Sequence, residues 1–237
     1  MAKRKFFNVL AVIPLRTLLV GALCVILVIS SFFIARTVKL AYVSTLNGKT
    51  IVLDAGHGGI DGGVVGLSGT VESDINLKIT KILRHYLQEK GYKVVLTRGG
   101  ADGLYDVGAQ SKKLSDMQKR KQIINENSPD LVISIHQNSY PLKSVKGAQV
   151  FYADNNEKST EVAQSLQSAL NEFYSQDKKS KKADYYVLQC SPYPTVLIEC
   201  GFLSNAQDEK NLNDSAFRES LAKVIAKSVD EIVTALA

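Results

Sequence analysis

The chain has 237 residues, 45% of them hydrophobic, which is enough for one sizeable core and excludes a disordered, low-complexity chain. Its formal net charge of +6 is concentrated at the amino terminus: residues 1–36 hold five basic and no acidic residues, and without them the charge falls to +1. No cationic field is left for nucleic acid, and no nucleic-acid partner is expected.

In chain order, Thr17 to Ala35 is a run of 19 residues without a charge, about the length of a membrane-spanning helix. Lys3, Arg4, Lys5 and Arg16 precede it, so the positive-inside bias predicts a cytoplasmic tip and an exported remainder. No convincing A-x-A cleavage site follows, and a retained single-pass transmembrane anchor is the expectation; a cleaved signal segment is the alternative. The expected divisions are 1–36 for the tip and anchor, 37–49 for a stalk, and 50–237 for a catalytic domain outside the cytoplasm, held at the cell membrane or exported after cleavage.

Brief apolar runs then alternate with helical periodicities, which predicts an α/β fold. The form expected is a single three-layer domain with a mainly parallel sheet flanked by helices. Predicted strands are Thr50 to Asp54, Lys93 to Thr97, Leu131 to His136, Ala148 to Tyr152 and Thr195 to Glu199. Ile75, Ile79, Ile82, Leu83, Tyr86 and Leu87 share one helical face, and Gly91 is placed to stop that helix. Further helices are predicted near Lys113 to Asn127, over Glu157 to Tyr174, and through Phe217, Leu221, Val224, Ile225, Val229, Ile232 and Leu236. Ser175 to Asp184 reads as an exposed loop.

Four chemically capable side chains fall where predicted strands end or loops begin: His57, Glu72, His136 and Glu199. In a parallel sheet the strand carboxyl ends share one edge, where ligands collect. Two imidazoles and a carboxylate form a catalytic zinc set, leaving a second carboxylate as base. Glu199 follows Val196, Leu197 and Ile198, and an apolar setting raises a carboxyl pKa toward what proton transfer at neutral pH needs. The expectation is one zinc ion on His57, Glu72 and His136, with Glu199 as the catalytic base and then acid.

Other residues are less specific. His85 and Glu89 have the spacing of an exposed helical pair. Asp54 and Asp61 fit either histidine orienters or loop caps, and Arg98 and Arg120 fit either internal ion pairs or a substrate carboxylate. For Cys190 and Cys200, a disulfide and two buried thiols are equally consistent with the sequence. Gly56-His57-Gly58 lacks the third glycine of a dinucleotide fingerprint, whose place Asp61 takes. Gly48-Lys49-Thr50 is followed by a strand where a phosphate-binding loop requires a helix.

The ordered motifs DAGHGG at 54–59, ESDINL at 72–77, Arg120 with Asn125, SIHQNS at 134–139 and LIECGFLSN at 197–205 resemble the zinc-dependent N-acetylmuramoyl-L-alanine amidases, amidase type 3. The resemblance covers about residues 50–236. It implies zinc ligation by His57, Glu72 and His136 and catalysis by Glu199; Asn138 and Arg120 are the expected substrate contacts. It also implies a peptidoglycan substrate, cut between muramic acid and L-alanine of the stem peptide. Within the family the chain looks most like the germination-specific amidase of spore formers, which prepares cortex peptidoglycan for muramic δ-lactam formation. General wall turnover and a non-catalytic wall-binding module are the alternatives. Affinity for an insoluble polymer would come from the groove, a membrane tether through the amino-terminal helix, or an accessory protein.

Overall fold

The computed structural model describes residues 15–46 and 48–235, and the chain divides into two compact units, Met1–Thr45 and Leu46–Ala237. In the first, α1 (Leu15–Leu46) exposes Leu19, Val20, Leu23, Phe32 and Ile34. Among the described residues no helix is long and apolar enough to cross a membrane, so the expected transmembrane helix is not supported.

The second unit contains β1 (Thr50–Ala55), α2 (Glu72–Glu89), β2 (Lys93–Leu96), α3 (Lys112–Asn127), β3 (Leu131–Asn138) and β4 (Gln149–Tyr152). They are followed by α4 (Glu157–Tyr174), β5 (Lys181–Lys182), α5 (Tyr186–Gln189), β6 (Thr195–Phe202), α6 (Ala206–Asn213) and α7 (Ser215–Ala235). The sheet order is β2-β1-β3-β6-β4-β5. Every ladder is parallel except β4 against β6, so the sheet is mainly parallel, as expected, and one antiparallel pairing makes it mixed. The ten residues between β3 and β4 are too few for a crossover and return the chain along the sheet instead.

Strand alternation builds the three layers. Val52, Val132 and Leu197 pack with Ile124 of α3 and with Val187 and Leu188 of α5 on one face. Ile51, Leu53, Ile133 and Ile135, all fully buried, alternate with them and point to the other, where α2 contacts β1, β3 and α7. On α2 the predicted stripe holds: Ile75, Ile79, Leu83 and Leu87 are buried. Its end is set by Gly91 at φ 97°, with Gly91 N–H donating to the Gln88 carbonyl and Tyr92 N–H to that of Leu87, a Schellman stop. The predicted carboxy-terminal stripe also buries Leu221, Ile225, Val229 and Ile232; Leu236 lies outside the described residues. The short α5, α6 and two-residue β5 were not anticipated.

Candidate active site

The loop after β1 turns sharply at His57, whose φ of 61° is positive, a conformation that costs a side-chain-bearing residue energy and is found where surroundings impose it. Here the neighbours are glycines for a steric reason. A Cβ on Gly56 would lie 2.2 Å from His136 Nε2, and one on Gly63 would lie 2.4 Å from Glu72 Oε2. His57 thus comes from the loop, Glu72 from the first residue of α2, and His136 from β3. Their ligand atoms all fall within 4.8 Å of one another. Glu72 Oε1 is 3.0 Å from His136 Nδ1 and 3.3 Å from His57 Nε2.

A built shell orients the three. His57 Nδ1 is 2.9 Å from Asp61 Oδ2. The Glu72 carboxylate accepts from Gln137 N–H at 3.1 Å, Asn76 Nδ2 at 3.3 Å and Val64 N–H at 2.9 Å. Burial opposes ionisation of Glu72, but the hydrogen bonds and charges of His136 and His57 prevail and hold its carboxyl well below the usual range. Burial also opposes protonation of His57, yet Glu72 and Asp61 raise it to about 9. Two imidazoles and a carboxylate, gathered and oriented through outer partners, fit a zinc-type ion with an open position.

Glu199 stands beside His136 in the β3–β6 register, and the ladder shifts immediately afterwards, a bulge of the kind that re-aims side chains at sites. It is 8% exposed, and its Oε2 is buried without a hydrogen-bond partner among the described residues. Burial is the main cause that lifts its pKa to about 7; the Glu72 charge adds to it and the histidines subtract. An unpartnered buried carboxyl oxygen is costly and is kept where a ligand completes it. All four groups line a cavity of about 730 Å³ at the carboxyl edge of the sheet.

Residues 51–231 match the family model described as N-acetylmuramoyl-L-alanine amidase. The chain belongs to this amidase family. Its relatives include the germination-specific N-acetylmuramoyl-L-alanine amidase of Bacillus subtilis (strain 168), 35% identical over 189 residues that cover 78% of this chain and 79% of that protein. The CwlD amidase of Clostridioides difficile, solved in complex with the GerS lipoprotein, superposes with a TM-score of 0.76 at 35% identity over 79% of this chain and all of that one. The catalytic domain of CwlV, an N-acetylmuramoyl-L-alanine amidase of Bacillus (Paenibacillus) polymyxa var. colistinus, gives 0.70 at 27% identity over 78% and 98%.

In this amidase Arg120, an expected substrate contact, borders the cavity while making internal bonds. It is 3% exposed and its donors are taken internally. It pairs with Asp54, donates to Asp116 at 2.6 Å, and reaches the carbonyls of Ala55 at 2.9 Å and His57 at 2.7 Å. Arg98 likewise donates to the carbonyls of Ala55, Gly56 and Ser73. Arg120 thus makes an internal ion pair, whereas Arg98 bonds to backbone carbonyls and has no carboxylate within ion-pair distance among the described residues. Asp54 also accepts from Thr97 and Ser134; burial opposes its ionisation, but Arg120 and these hydroxyls bring its pKa down to about 2. Asn138 lines the groove, its side-chain Oδ1 accepting from Ser139 N–H at 2.8 Å. His85 and Glu89 form an exposed pair at 3.4 Å, and Cys190 and Cys200 are free thiols.

Sequence reasoning did not assign roles to Asn76 and Gln137, which hold Glu72, although both lie inside the quoted motifs. It also missed Ile60, Tyr105, Lys112 and Lys113 on the groove wall. These last carry no motif, and only the loop geometry brings them there.

Proposed function

We propose that this amidase uses one zinc ion held by His57, Glu72 and His136, with Glu199 as proton carrier, to open the amide between the lactyl group of muramic acid and L-alanine. The observation that carries the reading is the gathering of three ligand atoms within 4.8 Å in a groove that also contains Glu199. Bound there, zinc supplies Lewis acidity, which polarises a carbonyl and makes water a better nucleophile near neutral pH.

The protein's own groups do the rest. Glu199, with a pKa near 7, takes a proton from the attacking water and delivers it to the departing nitrogen. One C–O bond forms, the C–N bond breaks, and the products are a lactyl carboxylate and a free amine on L-alanine. Asp61 fixes the His57 ring, and the Gln137, Asn76 and Val64 donors keep the Glu72 carboxylate in place. Asn138, on the groove wall, contributes a polar contact to substrate.

Peptidoglycan lies outside the cytoplasm, and the basic, apolar amino terminus suits export, with the segment either retained at the cell membrane or cleaved. The 35% identity to a germination-specific relative supports a role in spore cortex maturation, ahead of muramic δ-lactam formation. The complex of a similar amidase with a lipoprotein supports an accessory partner here as well. The test is mass spectrometry of muropeptides after incubating cortex and vegetative peptidoglycan with the zinc-loaded protein. New lactyl carboxylates paired with amino-terminal L-alanine are expected; cleavage only within the stem peptide, or none, overturns the reading.

A further inference from the structure

The two ends of the groove differ in chemistry. At the His57 end stand Lys112 and Lys113, the first residues of α3, with Tyr105. Lys112 Nζ sits 5.3 Å from the centre of the Tyr105 ring, which steadies the ammonium without neutralising it. Ile60 N–H donates to the Tyr105 hydroxyl at 3.4 Å, which sets this end beside the loop that carries His57. Nearby charges are otherwise engaged: Asp116 with Arg120 at 2.6 Å, and Lys119 with Asp106 at 3.7 Å. Among the described residues neither Lys112 nor Lys113 has a carboxylate within ion-pair distance.

At the Glu199 end the wall beyond that carboxyl is formed by two tyrosines. Tyr185 and Tyr186 are 42% and 40% exposed, and Tyr185 is braced edge-on against Phe151 with ring centroids 5.5 Å apart. Phe151 pairs with Leu197, two residues before Glu199 on β6, which places Tyr185 at that end. A braced, half-exposed ring is a preorganised platform for an amphipathic ligand face, because little rotamer freedom is lost on binding.

We propose that the groove binds its substrate in one direction, with Lys112 and Lys113 taking the free carboxylates of the peptide side and Tyr185 and Tyr186 taking the uncharged sugar side. The inference rests on the amidase reading and adds an orientation to it. The scissile amide joins a neutral sugar ether to a peptide that carries acidic groups, so unpaired ammonium groups at one end and neutral rings at the other leave one favourable orientation.

The full-length, zinc-loaded protein is assayed on three substrates: a disaccharide-peptide with free carboxyls, the same compound with those carboxyls amidated, and a lactyl-peptide without sugar. The wild type prefers the free acid, and added salt narrows that preference. The double variant Lys112→Glu, Lys113→Glu lowers the free-acid to amidated ratio of kcat/KM about tenfold, and Lys112→Gln, Lys113→Gln lowers it about threefold, as expected for exposed charge pairs. Tyr185→Ala instead lowers the disaccharide to lactyl-peptide ratio by about fivefold. Lysine variants that move only the sugar ratio, or that move neither ratio, overturn the assignment. A wild-type protein that cleaves none of the three removes the amidase reading itself, and the orientation with it.

Discussion

Replacing Glu199 with glutamine separates catalysis from stability at one atom. The amide matches the carboxyl in shape, so His57, Glu72 and His136 keep their places and zinc content should not change. Turnover loses the proton carrier, a contribution of about 10²–10⁴ in rate, or roughly 3–5 kcal/mol of barrier. Stability moves the other way. The folded-state pKa of Glu199 is raised from 4.5 to about 7, so the folded metal-free protein holds a proton that the unfolded chain releases between those values. The destabilisation is absent below pH 4.5, grows as pH rises toward 7 and is complete above it, reaching on the order of 3 kcal/mol. The metal-free variant should therefore resist urea more than the wild type at pH 8, by up to that amount, and the advantage should vanish at pH 4.5. Urea titrations at both pH values, beside muropeptide release by the zinc-loaded pair, give the measurement. Near-wild-type turnover with full zinc, or a stability gap that does not depend on pH, would refute the argument.

Four further outcomes follow from the site and core. Zinc needs neutral His57, whose pKa in the metal-free protein is about 9, so uptake near pH 7 should release about one proton and affinity should fall about tenfold per pH unit lost; calorimetry in buffers of different ionisation heat reads this. The same raised pKa stabilises the metal-free fold fully below 6.5, and that contribution disappears as pH climbs through 9. Gly63→Ala places a Cβ 2.4 Å from Glu72 Oε2 at a φ of 71° and should weaken zinc binding at least about tenfold while circular dichroism stays native; unchanged affinity would show that the ligand cage is more compliant than drawn. Leu83→Ala, at a fully buried site, should cost about 2–5 kcal/mol in urea unfolding with zinc stoichiometry intact.

The legible parts of the molecule were those where local pattern and tertiary demand coincide. The α2 stripe and its Gly91 stop could be read because burial follows the helical period. Glu199 was legible because three apolar residues precede it and announce a strand entering the core. Arg120 was not, because its helix is polar in composition and the reason for its burial, Asp54, lies 66 residues away. The antiparallel course of β4 was hidden because strand direction depends on a connection rather than on the residues of the strand. Two lysines offer no apolar period, so β5 exists only through its pairing with Phe151 and Tyr152.

The grip of Arg98 and Arg120 on the carbonyls of Ala55, Gly56 and His57 has a consequence for how the protein acquires its ion. Four guanidinium hydrogen bonds clamp the backbone beneath the first histidine without using any ligand atom, so chelation should empty the cage without unravelling the domain.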